Sequence, residues 1–230
     1  MYQTELNSSR RNTAAMLPML AFDNPLFPSN LSELPATEGE VGAIARLFGP
    51  KAKAFIRKEA LESRAKELLG RARIVHFATH GMLDARSPMY SSLLLTRDDH
   101  EDGLLQAREL SEMDLHADLV VLSACETELG QKIPGEGVVG LAWALFVGGA
   151  RSTLASQWQV PDESTRTLMI QFYRRLRRPG TNRAQAMRQA QLALRQDKRY
   201  GHPYHWAPFA LSGQWLTQSN LLAPTRVTRN

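Results

Sequence analysis

The chain holds a single cysteine, Cys125, in 230 residues. An internal disulfide is therefore excluded. The N-terminal MYQTELNSSRR also lacks the apolar core of a secretory signal, so a reducing, cytoplasmic setting is expected. Long apolar runs are missing too: none approaches the roughly 20 residues that a membrane-spanning helix needs. No internal repeat and no low-complexity tract occurs. Acidic residues are absent from Ser164 to Gln196, where Arg166, Arg174, Arg175, Arg177, Arg178, Arg183, Arg188 and Arg195 stand. Because the whole chain carries a formal charge of +5, everything outside these eight arginines sums to −3. Such a stripe suits nucleic acid or an acidic protein surface. It lacks interleaved exposed aromatics, however, so a solvated helix face is the favoured reading and nucleic acid is not an expected partner.

What is present, 43% hydrophobic residues, is enough to build a proper core. Residues 1–15 are polar, without period, and read as a flexible lead. MLPMLAF (16–22) reads as a first strand, followed by a proline-rich loop. Val41, Ile44, Ala45 and Phe48 have helical spacing that stops at Gly49-Pro50. AKAFI is a predicted strand, ALESRAKELLG a helix, and ARIVHFATHG (72–81) a strand covered on both faces. SSLLLT and DGLLQA flank the charged tip RDDHE as a hairpin, whose exposure makes it a candidate regulatory contact; ARELSEMDL is a short helix. Then come strand ADLVVLSAC, helix GVVGLAWALFVGG, strand STLASQW, helices ESTRTLMIQFYRRLR and NRAQAMRQAQLALRQ, and the apolar segment WAPFALSG. This alternation predicts an α/β fold with a mainly parallel central sheet and helices on both faces.

In open sheets of this kind, reactive groups gather beyond the carboxyl ends of strands. His80 ends one predicted strand and Cys125 another. A free thiol, with pKa about 8.5, needs a neighbouring base or cation to become a nucleophile at neutral pH. Two adjacent parallel strands would set the imidazole beside the thiol. Gly81 leaves room for a substrate carbonyl to approach a backbone N–H, and the N–H of Cys125 would be a second oxyanion donor. Each residue taken alone also fits a plain structural role, a small core cysteine and a hydrogen-bonded histidine.

HFATHG, LSAC with ETELG after it, GEGVVGLAWALFVGGA, STLASQWQVPDESTRTLM and HPYHWAPFALSG occur in this order. LAFDNPLF and LPATEGEV precede them. Together, over about 19–218, these segments resemble the CHAT family, caspase-like cysteine peptidases related to separases. The resemblance implies a caspase-type fold and a dyad with His80 as general base and Cys125 as nucleophile. It also implies cleavage of a protein partner, with bacterial antiviral defence or regulated cell death as the setting. Family members are often joined to tetratricopeptide-type helical repeats; no such region stands in this sequence, so a separate activator or regulatory protein of that type is an expected partner.

Asp162, in WQVPDES, reads as a helix N-cap. By resemblance to an acidic residue in a similar segment of separases, it is also the candidate S1 wall for a basic P1 side chain. GEGVVG (135–140) satisfies GxGxxG, but no strand immediately precedes its first glycine, so dinucleotide binding is not favoured. The glycines better serve close backbone approach and tight helix packing. Asp84 reads as a turn carboxylate, with orientation of His80 as the alternative, and His76 as core. His202, His205 and Trp206 are expected to pack the last strand, because one cysteine without clustered carboxylates is a poor zinc set. No metal and no cofactor are expected. The peptidase domain is placed at 16–218, with a flexible tail at 219–230. An active cysteine endopeptidase is the leading reading; a catalytically silent protein-binding module and a nucleotide-binding α/β protein are the alternatives.

Overall fold

Alternating burial along the strands builds the molecule, because each one sends successive side chains to opposite faces of a sheet. The computed structural model describes residues 16–26, 34–84, 86–123, 125–127 and 136–215. The expected N-terminal lead, the tail at 219–230 and residues 128–135 lie outside these. The strands are β1 (Leu20–Asp23), β2 (Lys53–Ile56), β3 (Ile74–Ala78), β4 (His80–Met82), β5 (Ser92–Leu94), β6 (Leu104–Gln106), β7 (Leu119–Leu122), β8 (Cys125–Thr127), β9 (Ser152–Ser156) and β10 (Phe209–Gly213). The helices are α1 (Pro35–Phe48), α2 (Glu62–Leu68), α3 (Ala107–Glu112), α4 (Glu136–Val147), α5 (Asp162–Leu176) and α6 (Arg183–Gln196).

The main sheet has the order β10-β9-β7-β3-β1-β2 and is parallel throughout, apart from β10, which runs antiparallel to β9. The α/β fold with helices on both faces is therefore as expected. Leu20, Phe22, Val75, Phe77, Val120 and Leu122 point to one face, where they pack with α2, α3 and α4. Met19, Ala21, Ile74, Ala78, Leu119 and Val121 point to the other, under α1, α5 and α6. Phe22 stacks on Phe77 with ring centroids 5.5 Å apart and holds the first face together. Local signals set several boundaries. A reciprocal capping box opens α6, with Gln185 N–H donating to Asn182 Oδ1 at 2.8 Å and Asn182 N–H to Gln185 Oε1 at 3.1 Å. Gly49, at φ 80°, closes α1.

Two expected strands are each two. ARIVHFATHG breaks after Ala78, and ADLVVLSAC after Leu122; the second halves, β4 and β8, enter a smaller sheet of order β6-β5-β4-β8. His80 and Cys125 therefore begin strands of this second sheet. At the break the Thr79 hydroxyl donates to the carbonyl of Leu94 on β5 and ties the chain to the smaller sheet. Pairing survives the bend, since partners on β3 and β7 are 45 residues apart, as Phe77 and Leu122 are, and so are His80 and Cys125. The hairpin of β5 and β6 forms as expected. Its charged tip is tied down: Asp98 accepts from the backbone N–H groups of His100 and Glu101 and from the Ser63 hydroxyl, and Lys66 Nζ lies 2.6 Å from Glu101 Oε2.

At the end of α4, a Cβ on Gly149, which sits at φ 107°, would fall 2.4 Å from the Leu115 carbonyl oxygen. Gly149→Ala should therefore combine backbone strain with a hard clash and lower stability by roughly 2–4 kcal/mol. Urea unfolding midpoints of the two proteins check this; equal midpoints would show that the turn yields at no cost.

Candidate active site

The bend at Thr79 delivers His80 to the carboxyl end of the main sheet, next to the point where the chain order reverses between β1 and β3. Crevices in α/β sheets open at such a point. His80 is buried, 5% exposed, and its backbone stands directly opposite that of Cys125 in the parallel pair β4–β8. Strands paired in this way lie about 4.8 Å apart. The two residues singled out in the sequence are thus brought together by backbone register. Gly81 is placed within β4, opposite Leu93 on one side and Glu126 on the other, and not in a turn after a strand.

Asp162 lies within electrostatic range of His80. Pro161 takes the N-cap position of α5 and Asp162 is the first helical residue, so the N-cap reading of Asp162 is replaced. A carboxylate in this first turn is favoured by the helix dipole. Burial pushes the Asp162 carboxyl above its usual range and the charge of Glu40 pushes it further, while His80 acts in the opposite direction. Asp162 and His80 therefore share one electrostatic environment, with Glu40 behind them.

Glu40 was not singled out in the sequence. It lies one turn before Ile44 and two before Phe48, on the apolar stripe of α1, and it is fully buried. A carboxylate on such a stripe was the available signal. Its Oε1 lies 3.0 Å from Nε2 of His76, a close polar contact in which the N–H direction falls outside hydrogen-bond geometry. The Ser123 hydroxyl donates to the same oxygen at 3.4 Å, and Nδ1 of His76 is 3.1 Å from the Tyr173 hydroxyl. Burial first, and Glu40 second, hold the Tyr173 hydroxyl well above its ordinary pKa and so keep it protonated. His76 is core, as expected, but as part of this polar chain.

The remaining candidates have structural roles. Asp84 Oδ1 accepts from the N–H groups of Arg86 and Ser87 at 2.9 Å each, closing a turn. His202 accepts from Tyr204 N–H, His205 Nδ1 lies 3.1 Å from the Ser164 hydroxyl, and Trp206 Nε1 donates to the Gly201 carbonyl. Pro88 packs against Gly140, where a Cβ would come within 2.9 Å of the proline ring, so this glycine of GEGVVG serves helix packing. Of the eight arginines, Arg183 is buried and donates to the Gln214 carbonyl at 2.6 Å, Arg177 lies over the Phe48 ring, and Arg175 donates to the Gln171 carbonyl. Arg166, Arg174, Arg178, Arg188 and Arg195 are exposed. Among the described residues, Glu62, Glu101 and Glu109 cluster closely enough to consider a cation, but Lys66 Nζ already lies 2.9, 2.6 and 2.8 Å from their oxygens. No described helix is long and apolar enough to cross a membrane.

The profile of the CHAT domain matches residues 2–214. Human tetratricopeptide repeat protein 28 is 27% identical over 234 residues, and its mouse counterpart 26% over 229. Each alignment covers 83% of this chain and 9% of the relative, so the chain spans less than a tenth of those proteins. Two crystal structures of the Saccharomyces cerevisiae separase–securin complex share the fold, with TM-scores of 0.55 and 0.54 at 13% and 12% identity. The likeness covers 85% of this chain and 12% and 11% of those chains. The caspase-like α/β fold is thereby shown.

The electrostatics of Asp162 set a direction with pH. A carboxyl whose folded pKa is raised stabilises the fold fully below its unfolded value, about 3.9, and loses that contribution as pH rises through the folded value. Asp162→Asn cannot ionise, so its stability relative to the native chain should increase between about pH 4 and pH 7. Denaturation midpoints of both proteins at the two pH values measure this, and a pH-independent difference would place Asp162 in open solvent.

Proposed function

Because the chain belongs to the CHAT family, we propose that it is a cysteine endopeptidase in which His80 and Cys125 form the catalytic dyad. The observation that carries this reading is the parallel register that sets His80 opposite Cys125 at the carboxyl end of the sheet. His80 accepts the thiol proton, and the thiolate attacks a peptide carbonyl carbon to give a tetrahedral oxyanion. The imidazolium then returns the proton to the departing amine, and water, activated by the same imidazole, hydrolyses the thioester. The backbone N–H groups of Cys125 and Gly81 are the oxyanion donors in this reading, and glycine at 81 keeps a Cβ off the approaching carbonyl.

Asp162 is the specificity residue of the proposal. A partly desolvated carboxylate at the mouth of the site favours a cationic ligand, and a substrate arginine would offer it two parallel hydrogen bonds. The substrate is a protein. Antiviral defence or regulated cell death is the setting we assign to its cleavage, by family resemblance. A separate regulatory protein is the assigned partner, since securin accompanies separase in the structures of similar fold and the relatives of similar sequence are tetratricopeptide repeat proteins.

Cys125→Ala and His80→Ala should each abolish cleavage of a peptide library while leaving the unfolding midpoint close to that of the native chain. Alkylation of Cys125 by iodoacetamide at neutral pH should slow in His80→Ala. Turnover by either alanine variant would refute the dyad, and partner binding without turnover by the native chain would favour the silent module. Asp162→Ala should reduce kcat/KM for basic P1 peptides by about 2–4 kcal/mol of transition-state binding. P1 profiles of the two proteins check this, and an unchanged profile would remove Asp162 from S1.

A further inference from the structure

Four buried polar side chains take no part in that mechanism, yet they stand on the segments that lead into it and on the helix that begins at Asp162. Glu40 projects from α1 and is fully buried; His76 on β3 and Tyr173 on α5 are likewise at 0% exposure, and Ser123, just past β7, is at 5%. His76 lies four residues before His80, Ser123 two residues before Cys125, and Tyr173 on the helix that begins at Asp162. Glu40 is the junction. Its Oε1 contacts His76 Nε2 at 3.0 Å and accepts from Ser123 Oγ at 3.4 Å, while His76 passes the connection to Tyr173 at 3.1 Å. Ser123 is tied to β3 a second time, through its N–H and the Phe77 carbonyl at 2.8 Å.

Packing alone does not account for this arrangement. The neighbours of Glu40 on its helix stripe are Val41, Ile44 and Phe48, all in the apolar core. Burying a polar group there is costly unless its hydrogen bonds are made, so an apolar side chain of similar volume would fit the stripe at less cost. Oε2 of Glu40 is also buried, without a hydrogen-bond partner among the described residues. What the carboxylate provides is a common anchor for β3, two residues before its end, and for the residue that directly follows β7, where the chain bends into the smaller sheet.

We propose that Glu40 is a positioning residue: through His76 and Ser123 it sets the level at which β3 and β7 leave the main sheet, and thereby the separation of His80 from Cys125. Tyr173 ties α5, and so Asp162, to the same anchor. The consequence for reactivity rests on the peptidase reading; the consequence for the position of His80 does not.

The test uses the full chain labelled with 15N-histidine, with three readouts: the His80 ring resonances, identified by their loss in His80→Ala; the second-order rate of Cys125 alkylation by iodoacetamide; and the unfolding midpoint. The single cysteine makes alkylation unambiguous. Glu40→Met, apolar and of similar volume, should displace the His80 resonances and slow alkylation about tenfold or more, because small misplacements of reacting groups are costly. Its midpoint should not fall in proportion. Glu40→Gln, which keeps an acceptor at Oε1, should restore alkylation to within about threefold of the native rate, a recovery that a loss of folded protein would not produce. Unmoved His80 resonances in folded Glu40→Met would overturn the proposal, as would slowing that merely follows the midpoint. Should Glu40→Met not fold, Ser123→Ala, which removes only the hydroxyl that donates to Glu40, decides by the same criteria. If native alkylation proves independent of His80, the dyad fails on its own, and the His80 resonances still decide the role of Glu40.

Discussion

The site depends on two parallel strands changing sheets together. β3 and β7 stop within one residue of the same level, and β4 and β8 resume with the same 45-residue offset between partners. A slip of one residue in either bend would turn its side chains to the opposite face, because the period of a strand is two. The register is held on both sides of the break: the Phe77 carbonyl accepts from Ser123 N–H, and the Thr79 hydroxyl reaches the Leu94 carbonyl of the hairpin. The hairpin is in turn braced from outside by Lys66 with Glu101 and by Glu62, which accepts from Gly103 N–H at 2.7 Å. A surface ion cluster and the core thus act on the same pair of strands.

Around this pair the molecule divides its chemistry by layer. The face covered by α2, α3 and α4 is an apolar cluster of leucine, phenylalanine, valine and alanine, with glycines such as Gly140 and Gly149 allowing close approach. The face covered by α1, α5 and α6 contains the polar chain of Glu40, His76 and Tyr173 inside an otherwise apolar core. Asp162 opens α5 on this second face, and His80 lies within its electrostatic range. The arginines of α5 and α6 are exposed or are used in packing and in donating to the carbonyls of Gln171 and Gln214, and the Arg166 guanidinium lies beside Gly39.

Much of this was readable before any coordinates. Apolar runs bounded by glycine and proline located the strands, and helical spacing in α1, α5 and α6 matched the observed elements within a few residues. The order of strands and helices was sufficient for the α/β class, since parallel neighbours need crossovers and helices serve as crossovers. The chain's one cysteine and its strand-end histidine were singled out because their residue types have few uses in that pattern. The stops of β3 and β7 were not readable: ARIVHFATHG contains no proline or internal glycine before His80, and the chain at the break is tied to Leu94, a residue of another strand.

Composition and periodicity, which are local properties of the chain, determined the fold class, the elements and the candidacy of His80 and Cys125. Tertiary structure decided which candidates meet. It put Pro161 rather than Asp162 at the cap of α5 and left Asp162 within electrostatic range of His80. It gave Asp84 to a turn and buried Glu40 among valine, isoleucine and phenylalanine at the junction of α1, β3 and β7. The burial of Glu40 depends on contacts with His76 and Ser123, far along the chain, and the cap of α5 on the course of the backbone at the helix end. Neither is encoded in the spacing of neighbouring residues, because contact across a sheet is set by register and by which faces pack together.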